Sequence, residues 1–182
     1  LWLDPVQGPR QPVFDDVPDR YFMARLNDAV DCERLVRSSG SFDLKFFCPD
    51  PFAYAITDET FSITEAGTHT IARVIGNIES HPLYRIEGEM SAGASNYISI
   101  TTNGAELKIV NATLSVGEAL IVDTDKMTAY VVDENGETLR NGLPYLQELN
   151  FPTLHVGDNT VTVEVSNAAL TELQIQAKSR WR

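Results

Sequence analysis

Thr160-Val161-Thr162-Val163-Glu164-Val165 decides how the chain folds. Three valines alternate with polar residues, so an extended strand here has one apolar face and one wet face. The neighbouring run Leu170-Thr171-Glu172-Leu173-Gln174-Ile175-Gln176-Ala177-Lys178 repeats the pattern. Leu173, Ile175 and Ala177 would face inward, against Glu172, Gln174, Gln176 and Lys178 outside. Moving outward, strands are predicted at 53–64, 69–75, 83–89, 97–101, 106–110, 119–124 and 127–132. Asn103-Gly104 and Asn135-Gly136 readily take the positive φ angles of tight hairpin turns. Gly157-Asp158-Asn159 precedes the penultimate strand. No window of useful length has helical periodicity. Short strands at this spacing, each with one apolar face, predict an all-β chain built as an antiparallel β-sandwich.

Residues 1–48 read differently. They begin Leu1-Trp2-Leu3-Asp4-Pro5, are rich in Pro, Asp and Arg, and turn at Asp15-Asp16-Val17-Pro18-Asp19. Three strands follow, at 20–26, 32–36 and 42–48. Three strands with a short lead-in cannot bury a core alone, so they are expected to be the closing part of a domain that other residues cover. The start at Leu1 rather than Met points to a fragment or a trimmed product. Pro49-Asp50-Pro51 is expected to act as a stiff interdomain hinge between 1–48 and 49–182, because proline fixes its own φ and restricts the residue before it.

The 182 residues include 26 acids against 14 bases, a net charge of −12, spread along the chain. Nucleic-acid binding draws on Lys and Arg meeting phosphates, so DNA and RNA are not expected partners. No run is apolar for long enough to span a bilayer, and no basic-then-apolar signal opens the chain. Cys32 and Cys48 are not spaced as a metal-binding pair. They are expected to be two buried free thiols in a reducing cytoplasm, with a disulfide as the alternative. Asn111-Ala112-Thr113 matches a glycosylation sequon and is read as chance.

Chemistry is hard to find. His69, His81 and His155 lack zinc-site spacing. No Gly-x-Ser-x-Gly elbow or phosphate-cradling glycine loop occurs. Asp123-Thr124-Asp125 offers two carboxylates to a hard cation, but the favoured reading is that Asp123 ends a strand and Asp125 starts a turn. Nothing selects one pair of acids for glycoside hydrolysis. No catalytic residue, metal ligand or cofactor site is therefore expected. Tyr54, Tyr84, Tyr97, Tyr130 and Tyr145 are possible sugar-stacking platforms, although aromatics on strands more often pack in the core.

The run Phe42-Asp43-Leu44-Lys45-Phe46-Phe47-Cys48-Pro49-Asp50-Pro51-Phe52-Ala53-Tyr54 resembles the interdomain junction of distal tail proteins of long-tailed phages that infect Gram-positive bacteria. Phe14-Asp15-Asp16-Val17-Pro18-Asp19-Arg20-Tyr21-Phe22-Met23-Ala24-Arg25-Leu26 looks like the closing strands of that family's first domain. Gly117-Glu118-Ala119-Leu120-Ile121-Val122-Asp123-Thr124 is similar to a strand of its second. Gly157-Asp158-Asn159-Thr160-Val161 and Lys178-Ser179-Arg180-Trp181-Arg182 fit its final hairpin. The resemblance implies that 1–48 is the truncated end of a ring-forming domain, and that 49–182 is a galectin-like or carbohydrate-module-like sandwich without a long insertion.

The implied function is structural, with no enzyme activity. A hexameric hub ring, made in the host cytoplasm and located at the virion tail tip, would join the tail tube protein to the tip and receptor-binding proteins. An acidic ring would also repel passing DNA. Subunit contacts are expected at Asp19, Arg20, Tyr21, Phe22 and Arg25, where strand pairing between copies needs free backbone edges; pairing within their own domain is the alternative. The rival function is a carbohydrate-binding module recognising host cell-wall polysaccharide. The two are compatible if the sandwich adds weak adhesion to a structural ring.

Overall fold

Asn103 and Gly104 take φ of 52° and 86°. They close a two-residue turn between strands β10 (Tyr97–Thr102) and β11 (Ala105–Val110), with Thr102 paired to Ala105. Strands are numbered in chain order. The computed structural model describes residues 8–27, 32–36 and 39–182. The chain forms two compact units: Leu1–Thr57 with Trp181–Arg182, and Asp58–Arg180.

The second unit holds two antiparallel sheets. One is ordered β11, β10, β15 (Gly157–Ser166), β8 (Gly67–Arg73). The other is ordered β14 (Thr138–Asn141), β13 (Thr128–Val132), β12 (Ala119–Asp123), β9 (Leu83–Met90), β16 (Ala168–Gln176), β7 (Thr60–Ile63). Alternation in the sequence sets what lies between them. Val161 and Val163 are buried, as are Leu173, Ile175 and Ala177, while the polar residues between them stay wholly or partly accessible. Ile98, Ile100, Leu107 and Ile109 meet Tyr84, Ile86, Leu120 and Val122 in one core. Burying each such aliphatic side chain is worth about 1.5–3 kcal/mol, which gives the sandwich its cohesion. Strand β12 is a continuous apolar run, Ala119 to Val122, and is buried on both faces. Its outward residues Ala119 and Ile121 join Val132, Leu83 and Tyr130 in a second cluster.

In the first unit, β1 (Arg20–Phe22), β6 (Ala53–Ala55) and β17 (Arg180–Trp181) form a sheet in the order β1-β6-β17. Strand β2 (Arg25–Leu26) pairs with β5 (Phe46–Phe47), and β3 (Cys32–Val36) with β4 (Ser39–Phe42).

Several expectations need correction. The predicted strand 53–64 is two strands, β6 and β7, one in each unit; residues 56–59 break it, and the boundary between units falls among them, at Thr57/Asp58. The run 42–48 divides likewise, between the end of β4 and β5. Strand β14 and a 3-10 helix at Leu143–Tyr145 were not foreseen. Cys48 is free and exposed rather than buried, just past the two-residue β5. Residues 1–5 and the side chain of Cys32 lie outside the described residues.

Candidate functional site

Aromatic residues dominate the first unit. Tyr21 stacks on Tyr54 at 5.7 Å between ring centroids. Phe14 meets Phe22 and Phe46 edge-on, at 5.7 and 6.2 Å. Two guanidinium groups cover rings: Arg20 lies 4.0 Å over Trp181, and Arg25 lies 5.2 Å over Phe47. Asp19 Oδ2 and Oδ1 accept from Arg20 Nη2 and Nε, each at 2.9 Å, which holds the guanidinium plane over the indole. Contact with Arg20 keeps the Asp19 carboxyl below its usual range.

The structure therefore brings the five expected interface residues into one neighbourhood, each engaged within its own chain. Strand β1 pairs with β6 on one side and forms an edge of its sheet, and Phe22 donates its N–H to Pro12 O at 3.1 Å. Around this cluster, Val13, Phe14, Phe47 and Ile56 remain 40–51% exposed. The second unit also exposes large apolar side chains, Val74, Val116, Met127, Leu139, Leu149 and Val156, at 47–80%.

The double proline lies inside the first unit, between β5 and β6, and the break between units falls beyond it, at Thr57/Asp58. Asp50 organises that turn by accepting from Phe52 N at 3.2 Å and from the Tyr54 hydroxyl.

Charge divides unevenly. The second unit carries seventeen acids against seven bases, a net of −10; the first carries nine against seven, a net of −2. The acidic charge expected on the ring-forming part therefore sits mostly on the other unit.

The residues considered for chemistry are occupied otherwise. Asp123 closes β12, and its Oδ1 accepts from the backbone N–H of Asp125 and Lys126 at 3.1 Å each. Among the described residues, no three His, Cys, Asp or Glu side chains gather as a metal-binding group. Tyr84 is fully buried and donates to Thr102 Oγ1 at 2.9 Å, so it is a core residue. The Tyr145 hydroxyl accepts from Arg140, Tyr130 packs in the outer cluster of β12, and Tyr97 lies under the Lys108 ammonium at 4.6 Å. An open depression of about 660 Å³ at the Met90 end of β9 is lined by Glu89, Ser91, Thr113, Val116, Asn167 and Ala169, among others, and holds no aromatic ring.

Arg140 fastens that end of the sandwich. Its Nη1 and Nη2 donate to the two Glu118 carboxylate oxygens at 2.7 Å, and Nη2 also reaches Thr113 O. This fork holds the Glu118 carboxyl below its ordinary range. The folded pKa is depressed, so the stabilisation is complete above the ordinary carboxylate pKa and is lost as pH falls through the lowered value. Arg140→Ala is expected to remove about 1–2 kcal/mol at pH 7 and to flatten the acid limb of a stability–pH curve from chemical denaturation. An unchanged acid limb would refute the assignment.

The family described as siphovirus-type tail component, C-terminal domain (SPP1 Dit), matches residues 75–181, more than half of the chain. The chain is also similar in structure to the SPP1 Dit (gp 19.1) protein, presented as a paradigm of the hub adsorption apparatus in phages infecting Gram-positive hosts. That match has a TM-score of 0.71 and 15% sequence identity, and covers 97% of this chain and 66% of that one. This chain thus spans just under two thirds of that protein's length. No curated protein matches by sequence.

Proposed function

The chain belongs to the SPP1 Dit family of siphovirus-type tail components, and from that premise we propose that it works without catalysis as a hub ring at a phage tail tip, about six copies closing around the channel. A structural role in a phage tail comes with the family; the ring, its position and its copy number are our reading. The second unit would serve as the outward-facing galectin-like body. The ring would connect the tail tube protein to tip and receptor-binding proteins after assembly in the host cytoplasm.

The observation that carries this reading is the edge strand β1, in the same unit as Val13, Phe14, Phe47 and Ile56, which are 40–51% exposed. Apolar area left in water on one copy becomes favourable when a second copy covers it. The charge division supports the same arrangement. A net of −2 on the first unit permits copies to approach, whereas a net of −10 on the second favours a solvent-facing position.

Light scattering on the full-length protein tests the proposal. A mass near six copies is expected, falling toward the monomer in Phe14→Asp/Phe47→Asp. A monomer at every concentration would overturn the ring.

A further inference from the structure

Among the described residues, two polar atoms in the second unit are buried without a hydrogen-bond partner: Arg73 Nη1 and Ser179 Oγ. Their residues are 0% and 1% exposed. A buried polar group left unpaired costs about 1–3 kcal/mol, so each such atom needs a physical account.

The rest of both residues is firmly held. Arg73 donates from Nε to His155 O at 3.1 Å and from Nη2 to Ile78 O at 2.5 Å. The Ser179 N–H donates to Asp58 Oδ2 at 2.9 Å. Gly76 places the Arg73 guanidinium near the peptide between Ser179 and Arg180. The position a Cβ would take on this residue, whose φ is +90°, lies 3.2 Å from Arg73 Nη1, 2.7 Å from Arg180 O and 3.1 Å from Arg180 N. Ser179 directly precedes that Arg180 nitrogen, so the unpaired guanidinium N–H and the peptide carrying the unpaired hydroxyl close on the same glycine.

We propose that Arg73 Nη1 and Ser179 Oγ bind one internal water molecule at the base of the second unit. The chemistry of the pair selects such a ligand. A guanidinium N–H can only donate, a hydroxyl can donate or accept, and water complements both while bringing no charge. An anion such as chloride suits the site less, because three carboxylates, Glu59, Asp58 and Glu79, act on Arg73 against one further cation, Arg180.

The position gives the water a role. Asp58 and Arg180, the first and last residues of the second unit, belong to this network. Asp58 holds Ser179, Arg180 O accepts from Asn77, and Arg180 Nε donates to Glu79 O. The bridging water ties Ser179 to Arg73 within the second unit, beside the loop between β8 and β9.

The test uses a high-resolution crystal structure of the full chain, grown with and without chloride, together with Ser179→Ala. Expected in both crystals is one density peak of water height within hydrogen-bonding distance of both atoms. Removing the hydroxyl should lower Tm by about 2–4 °C, since a satisfied partner is lost. The opposite sign is diagnostic: a hydroxyl that is truly unpaired is better replaced by a methyl group, so an unchanged or raised Tm overturns the proposal. So does the absence of the peak, or a peak seen only with chloride.

Discussion

Gly88→Ala is expected to lower Tm by about 10 °C, from a loss of about 3–4 kcal/mol. Gly88 continues the inward-pointing row Tyr84, Ile86, Gly88, Met90 on β9, the strand lying between β12 and β16 in the larger sheet. Opposite it the β16 register shifts between Leu170 and Glu172, and this bulge brings main chain toward β9. A Cβ on Gly88 would lie 2.1 Å from Ala169 O. The obstacle is backbone, so no side chain can rotate away, and β9 and β16 must part where they share eight paired positions. Gly93→Ala is the control. Its Cβ would press only on the end of the Asn96 side chain, which can move, and the expected cost is below about 1 kcal/mol. Equal losses in the two variants, measured by calorimetry, would show that the approach of Ala169 to Gly88 is not tight.

Arg73→Met should have the next largest effect, a loss of about 3 kcal/mol and a Tm lower by about 6–12 °C. Met has nearly the volume of Arg although it is shorter, so the cavity is confined to the guanidinium end. The lost quantity is hydrogen bonding: Ile78 O is left unpaired inside the unit, and His155 O keeps only its bond from Asn159 Nδ2. Damage should concentrate at the Arg73 end of β8. Residues 74–80 and 153–157 should exchange their amide hydrogens faster, with β10 and β11 little changed. Uniform acceleration across both sheets, or a loss under 1 kcal/mol, would contradict a local fastening role.

The alternating strands were legible because their buried and wet positions differ in residue type, as in Val161/Thr162 or Ile175/Gln176. The Asn103-Gly104 turn was legible because few residue pairs accept two positive φ angles. Strand β14 was hidden because Thr138-Leu139-Arg140-Asn141 is half-buried only at Arg140, and the fork to Glu118 exists only in three dimensions.

Buried polar residues were the larger omission. Asn159 is buried, accepts from His155 N and Asn103 Nδ2, and donates to His155 O and Gly157 O. Its residue type alone predicts exposure. Arg73 did leave a signal, since two residues after Ile71 on one strand it must face the same side. At the candidate site, Arg20, Tyr21 and Phe22 were legible as a strand, whereas the division of the predicted strand 20–26 into β1 and β2, with Arg25 in the second, was not. The cover of Trp181 by Arg20 was not legible either, because more than a hundred residues intervene.

That long separation has a consequence for biosynthesis. Sheet β1-β6-β17 receives its third strand from residues translated after the whole of the sandwich. The segment 1–57 is therefore translated long before its closing strand, which follows directly after β16, the last strand of the second unit. Only when Trp181 emerges can Arg20 settle over the indole. A chain ending between Gln176 and Arg180 would keep every strand of the sandwich while its first unit lacked Trp181.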